Sequence, residues 1–294
     1  MSRMLDYRIH HRTVYRYSEA VTFCQNLTHL TARGTPSQPE PQSYLRIHPE
    51  PEVIDRHTDG FGNPIEFFSL DEPHRELTLD VTHRIPLTPI SLPDPATTTS
   101  WELVRQELTV PRHAAALDAR QFGFASRYVP LGAEYEQLAL RAFTPHRPIL
   151  EAALELTHQI YAQFTYDPRA TTITTPVAEV LKLRRGVCQD FAHLQLAALR
   201  SIGLSARYVS GYLATKPPPG KERLVGADAT HAWIAVYCGE AGWVGLDPTN
   251  DMAESERHIV LAWGRDYDEV SPVKGVILGG GQHTLHVTVD AVAV

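Results

Sequence analysis

The residues best placed to do chemistry in this chain are a cysteine, a histidine and an aspartate. Cys188 stands in Arg-Arg-Gly-Val-Cys-Gln-Asp-Phe-Ala-His-Leu (184–194), where a helical apolar pattern begins. A free thiol has a pKa of about 8.5, and helix N-termini or a neighbouring imidazolium can lower that to roughly 3.5–7.5. The unpaired N–H groups and the dipole of a helix start stabilise negative charge. Cys188 is therefore a candidate nucleophile. A nucleophilic thiol needs a base, and the base needs a group to orient it. His231 opens the run Thr-His-Ala-Trp-Ile-Ala-Val-Tyr-Cys (230–238), and Asp247 closes Gly-Trp-Val-Gly-Leu-Asp (242–247). Both runs read as strands, and Gly-Glu-Ala-Gly (239–242) between them reads as a hairpin turn. In an antiparallel hairpin the start of one strand lies near the end of the other, so His231 and Asp247 are expected to be neighbours. A carboxylate on one imidazole nitrogen fixes the tautomer, turns the other nitrogen to the thiol and stabilises the imidazolium.

Other reactive side chains nearby have ordinary roles open to them. At about 100° per residue, Asp190 lies roughly 200° and His193 roughly 140° round the helix from Cys188. Asp190 reads as a charge that stabilises the first turn, and His193 as a packed or hydrogen-bonded residue. The same divergence disfavours a zinc site made from Cys188 and His193. Cys238 shares a strand face with Ile234 and Val236 and reads as core, while Cys24 has no evident partner. Trp233 shares a face with His231, as a wall of the site or as packing. Arg184 and Arg185 read as a solvated helix end, with attraction of an anionic substrate as the alternative. Gly211 and Gly245 read as points of close backbone approach.

Elements must hold these groups in place. Residues 150–164 carry apolar positions at helical spacing, a second helix starts at Thr175-Pro176, and the Cys188 helix stops at Ile202-Gly203. Three strands follow, over 206–213, 230–238 and 242–247, with an exposed loop at 217–223. Helices followed by strands indicate an α+β unit. The first ninety or so residues read as β. Arg8, Arg12 and Arg16 alternate with Tyr7, Ile9, Tyr15 and Tyr17, while Leu77, Leu79, Val81, Ile85 and Leu87 share a face. The turn at 59–63 joins two short strands, and 86–100 reads as a Pro/Thr-rich linker. The histidines of this half, among them His10, His11, His29, His48 and His57, are assigned to surface or packing roles. Gly279–Gly281 precedes a last strand over 285–292. The expected organisation is a β-sandwich-like domain over 1–95, a catalytic core over 96–265, and a C-terminal loop and strand over 266–294 packed on the core or the β domain. Loops at 214–229 and 263–284 are expected to carry specificity.

Composition sets outer bounds. With 294 residues, 43% hydrophobic and 21% charged, the chain is an ordinary globular sequence long enough for two domains. A net charge of −7 argues against nucleic acid as the main partner. Three cysteines point to a reducing compartment, and neither a leader-like start nor the roughly 18 apolar residues of a membrane span is present, so a cytoplasmic location without membrane partners is expected.

Four blocks, Gly-Val-Cys-Gln-Asp-Phe-Ala-His, Ala-Arg-Tyr-Val-Ser-Gly-Tyr, His-Ala-Trp-Ile-Ala-Val-Tyr and Gly-Trp-Val-Gly-Leu-Asp-Pro-Thr-Asn, together resemble the bacterial transglutaminase-like family in order and spacing. They cover about 150–255. The N-terminal β region and the tail Gly-Arg-Asp-Tyr-Asp-Glu-Val-Ser-Pro-Val (264–273) resemble one bacterial subgroup. The resemblance implies a papain-like α+β core, with the Cys helix packed on an antiparallel sheet, and acyl transfer through a thioester. It implies a Cys188–His231–Asp247 triad and neither cofactor nor metal. The oxyanion donors would be the Cys188 backbone N–H and, as a side-chain candidate, Tyr166. Hydrolysis of an amide or peptide is the leading reading. Transamidation to an amine is the first alternative, and an inactive binding module the second. The β domain could also serve a partner protein or a second copy of the chain.

Overall fold

The computed structural model describes residues 5–215 and 229–294. One long strand, β1 (Leu5–Thr28), organises the N-terminal half, and β2 (Gln42–His48), β3 (Ile54–Thr58), β4 (Pro64–Leu70) and β5 (His74–Leu87) follow it. The alternation along β1 is as read: Tyr7, Ile9 and Tyr17 are buried, and Arg8, Arg12 and Arg16 are exposed. β1 pairs with β5 over its first half and, past a register shift after Arg16, with β4 over Cys24–Thr28. One strand thus serves two arms of a sheet. Leu45 and Ile47 of β2, Phe68 and Leu70 of β4, and Leu77, Leu79 and Val81 of β5 close over a common apolar cluster, a sandwich-like arrangement.

The second half begins with four helices, α1 (Trp101–Thr109), α2 (Ala114–Arg120), α3 (Ala133–Leu140) and α4 (Ile149–Gln163). The short strand β6 (Thr165–Tyr166), helix α5 (Val177–Leu183), short strand β7 (Arg185–Gly186) and helix α6 (Cys188–Ser201) complete the helical part. Gly203, at φ +82°, ends α6 in a conformation that favours glycine. Strands β8 (Ala206–Leu213), β9 (Ala229–Tyr237), β10 (Trp243–Asp247), β11 (Met252–Ala253) and β12 (His258–Gly264) form an antiparallel sheet in the order β11-β10-β9-β8-β12. Helix α6 packs on one face of it, where Ala206, Tyr208, Ala232, Ile234 and Val236 join the main core. The expected loop at 217–223, and most of the one at 214–229, lie outside the described residues.

The C-terminal segment departs from expectation in one respect. Residues 263–284 are not a continuous loop: they contain β13 (Val273–Gly279), and β14 (His283–Ala293) follows. Both pair antiparallel with β1. A 24-residue strand has backbone N–H and C=O groups along both edges that need partners, and the chain end supplies them.

The strand-rich half is docked firmly on the α+β half. Tyr7, Ile9, Ile85, Leu87, Val289 and Ala291 pack with Tyr212, Ala214, Ile259 and Leu261. Each fully buried large side chain contributes about 1.5–3 kcal/mol, so this junction is more than a tether. Polar contacts fix its register. Gln38 donates to the Val260 carbonyl at 2.8 Å and accepts from the Val260 N–H at 3.1 Å. No helix among the described residues is long and apolar enough to cross a membrane.

Candidate active site

The approach of the chain to Cys188 is set by β7, which pairs in parallel with β6, Tyr166 opposite Gly186. The Asp190 carboxylate turns back to the helix start. Its Oδ2 accepts the Val187 N–H at 2.8 Å and the Thr171 hydroxyl at 2.6 Å. This is the first-turn role read from the sequence. Gly186 leaves room for that carboxylate, since a Cβ there would lie 2.6 Å from Oδ2. Cys188, the first residue of α6, is half-buried. Helix starts leave their first N–H groups without intrahelical partners, so the Cys188 N–H is an available donor.

His231 and Asp247 come together as the hairpin requires. The β9–β10 register places Leu246 opposite Ile234, so Asp247 falls one diagonal step from His231 on the same face. His231 Nε2 lies 2.7 Å from Asp247 Oδ2, and the Cys188 thiol is the imidazole's other electrostatic neighbour. With Nε2 committed to the carboxylate, Nδ1 is the nitrogen left for the thiol. Burial by itself would lower the His231 pKa. The hydrogen bonds and charges of Asp247 and Cys188 outweigh burial and push it up to about 10. Burial likewise opposes charge on Asp247, yet hydrogen bonds from His231, His258 and Asn250 hold its carboxyl well below the usual carboxylate range.

Asp247 is fully buried and unusually well supplied with donors. Its Oδ1 accepts the N–H groups of Thr249 and Asn250 at 2.9 and 3.3 Å. Its Oδ2 accepts from His231, from Asn250 Nδ2 at 2.6 Å and from His258 Nε2 at 3.2 Å. Sequence reasoning missed the last two. Asn250 closes the Asp-Pro-Thr-Asn block and was legible as a local turn partner of Asp247. His258 opens β12, which lies three strands from β10 in the sheet. Flat, that would be about 14 Å. Twist, a register shift after Val260 and the reach of the ring close the gap.

The remaining predicted residues fall as follows. Trp233 is fully buried; its ring stacks on His231 (centroids 6.0 Å apart, 26°) and meets His258 edge-on (5.1 Å, 71°). It is both wall and packing. Gly211 faces His231 across the β8–β9 ladder, and a Cβ there would run into the Ile259 carbonyl and lie 2.7 Å from Trp233. At Gly245 a Cβ would run into Glu254. Tyr166 is exposed beside the thiol; burial of its ring and the neighbouring Cys188 raise its pKa. His193 stacks on Tyr128 and accepts the Tyr267 N–H at 3.2 Å; burial pushes its pKa down to about 3. Arg184 ends α5 at φ +53° and donates to Gln163 at 2.9 Å, and Arg185 lies 3.7 Å from Asp167. All three cysteines are free, but Cys24 and Cys238 are buried, and burial pushes the Cys238 thiol up to about 12.

His231, Asp247 and His258 hold one ligand atom each within 4.8 Å of one another, a spacing that a metal ion could bridge. The donor set does not fit one. His258 Nδ1 accepts the Ser255 backbone N–H at 3.2 Å, so the ring proton sits on Nε2, the nitrogen a metal would need.

Comparison with known proteins agrees with this architecture. Residues 7–86 match the family model described as the bacterial transglutaminase-like N-terminal region, and residues 136–248 match that of the transglutaminase-like superfamily. An uncharacterised protein of Mycobacterium tuberculosis is 41% identical over 297 residues, covering 97% of this chain and 92% of its own. A protein-glutamine gamma-glutamyltransferase of Pseudomonas aeruginosa is 31% identical over 99 residues, 31% of this chain and 15% of its own. The solved structure of a candidate cysteine protease from Cytophaga hutchinsonii superposes with a TM-score of 0.76 at 22% identity, covering 99% of this chain and 91% of that one. The chain belongs to the bacterial transglutaminase-like family, and its fold is the transglutaminase-like one: a strand-rich N-terminal region followed by a papain-like α+β core.

Proposed function

We propose that the protein is a thiol-dependent acyl-transfer enzyme that hydrolyses an amide or peptide bond with Cys188, His231 and Asp247. One observation carries this reading: a single imidazole hydrogen-bonds a fully buried carboxylate and neighbours a half-buried thiol at a helix start. Cys188 sulfur attacks the amide carbonyl carbon. The oxyanion is met by the Cys188 N–H and the Tyr166 hydroxyl; losing one such donor typically costs about 2.7–4 kcal/mol. The C–N bond breaks as the His231 imidazolium gives its proton to the departing amine. Water then attacks the thioester, His231 takes its proton, and the carboxylic acid and thiol are released.

A second reading, capture of the thioester by an amine, is favoured by the similarity to the Pseudomonas aeruginosa gamma-glutamyltransferase. A panel of carboxamide and peptide substrates, with and without a lysine-like amine, separates the two. Free acid together with released ammonia or amine is expected from hydrolysis, and an amine-linked product from transamidation. Cys188→Ala should lose about 10⁴-fold or more in turnover. Equal turnover by Cys188→Ala and wild type, or none by either, overturns the reading.

A further inference from the structure

We infer that His258 is a positioning residue of the same site: a neutral imidazole that holds Asp247 in place for His231. The inference rests on the triad reading above and goes one residue beyond it. His258 is buried to 1% exposure, and both of its ring nitrogens are engaged. Nδ1 lies 3.2 Å from the Ser255 backbone N–H and 3.2 Å from the Ser255 hydroxyl. A backbone N–H can only donate, so Nδ1 carries the lone pair and Nε2 the proton. Nε2–H therefore donates across 3.2 Å to Asp247 Oδ2, the oxygen that also serves His231.

The ring is fixed before it reaches the carboxylate. Ser255 and His258 form a tight turn in which the His258 N–H also bonds the Ser255 carbonyl at 2.9 Å. Trp233 packs edge-on against the ring. Asn250 reaches the same carboxylate oxygen, but from the turn that carries Asp247 itself. His258 comes instead from the edge strand β12, so it ties that strand to β10, three strands away, at the carboxylate. It does not touch the thiol and acts through Asp247. The chemical consequence is a carboxylate fixed in rotamer and kept ionised, available at all times to the Nε2–H of His231.

The test is the rate of Cys188 alkylation by iodoacetamide from about pH 4 to pH 9 in the full chain, because thiolate character controls that rate. Wild type, Asp247→Asn, His258→Phe and His258→Gln are compared. Phenylalanine keeps the ring and removes the donor. Glutamine can place an amide N–H near the lost Nε2–H. In His258→Phe the acid limb should move up by about one pH unit, tenfold in rate on the limb, while His258→Gln should stay within about threefold of wild type. A His258→Phe profile that overlays wild type overturns the inference, whatever happens to the melting temperature. If wild-type Cys188 reacts no faster than cysteine in a short peptide, the triad reading fails and this one with it. If Asp247→Asn slows and His258→Phe does not, only the role of His258 fails. Nitrogen-15 NMR of the wild-type imidazoles gives a check that needs no variant. At neutral pH His258 should show a protonated Nε2 and an unprotonated Nδ1, and any other form overturns the inference.

Discussion

Among the described residues, two clusters of buried histidines converge on one oxygen each, and they differ in the group that carries it. At the candidate active site, His231 and His258 converge on Asp247. At the junction of the two halves, His11 Nδ1 and His83 Nε2 converge on the Tyr212 hydroxyl at 2.7 and 3.3 Å. In the first cluster the His231 pKa is pushed up to about 10 despite burial. In the second, burial pushes His11 down to about 4 and His83 to about 3. Burial alone makes a histidine a neutral hydrogen-bonding spacer. At His231, a carboxylate that is itself held by several donors acts together with the neighbouring Cys188 and makes the ring a persistent cation, whereas His258, whose Nδ1 accepts the Ser255 N–H, keeps a single ring proton. The difference is a matter of electrostatics and not of exposure, because both clusters are almost closed to water.

Removing the carboxylate charge tests this contrast most severely. Asp247→Asn should turn the first cluster into a likeness of the second, with a loss of about 10³–10⁴-fold in acyl transfer. The His231 value should fall from about 10, so the alkaline limb of the pH–rate profile should move to lower pH. A profile with an unmoved alkaline limb would show that Asp247 does not sustain the charge on His231.

The next largest effect is on stability in acid. His11 and His83 have folded-state values below the ordinary 6.5. As pH falls below 6.5 the unfolded chain binds protons that the folded chain does not, so stability present at neutral pH is lost progressively toward about pH 4. At pH 4.5 each histidine should cost roughly 2–3 kcal/mol. Urea titrations at neutral pH and at pH 4.5 should show a smaller drop for His11→Asn/His83→Gln than for wild type. Equal drops would mean that this cluster is protonated in the folded state.

Smaller changes sharpen the picture. Asn250→Ala removes one of the donors to Asp247 Oδ2 and should lower turnover about tenfold, the effect of about one hydrogen bond to a charged group. Unchanged turnover would leave His231 and His258 as sufficient anchors. Tyr212→Phe should lower stability by about 1 kcal/mol, seen in the denaturant midpoint, with turnover kept within twofold. A large loss of turnover instead would couple the junction to the active site.

Much of the α+β half was legible in local pattern. The apolar period of α6, its start at Cys188, the strands carrying His231 and Asp247, and the glycine-bounded turn between them all follow from neighbouring residues. So do the separate duties of Asp190 and His193, because angles around a helix are fixed by its geometry. The alternation along β1 and β5 was equally plain. His10, His11 and the other N-terminal histidines were assigned to surface or packing. For His11 that holds, but its partner, Tyr212, sits 201 residues away. Strand β13 was hidden in a segment read as a loop, since its pairing depends on an edge of β1 laid down at the other end of the chain.

By itself, then, the sequence singled out the candidate nucleophile and the two residues proposed to serve it, because each stands at the end of an element whose period is written locally and because one hairpin brings two of them together. Tertiary structure alone decided that the sheet curls until its far edge strand presents His258 to Asp247. It also decided that the C-terminal strands return to β1, and that a second pair of histidines stays neutral around Tyr212. Those outcomes depend on side chains meeting across long stretches of chain, and the charge a buried histidine carries depends on which of them it meets.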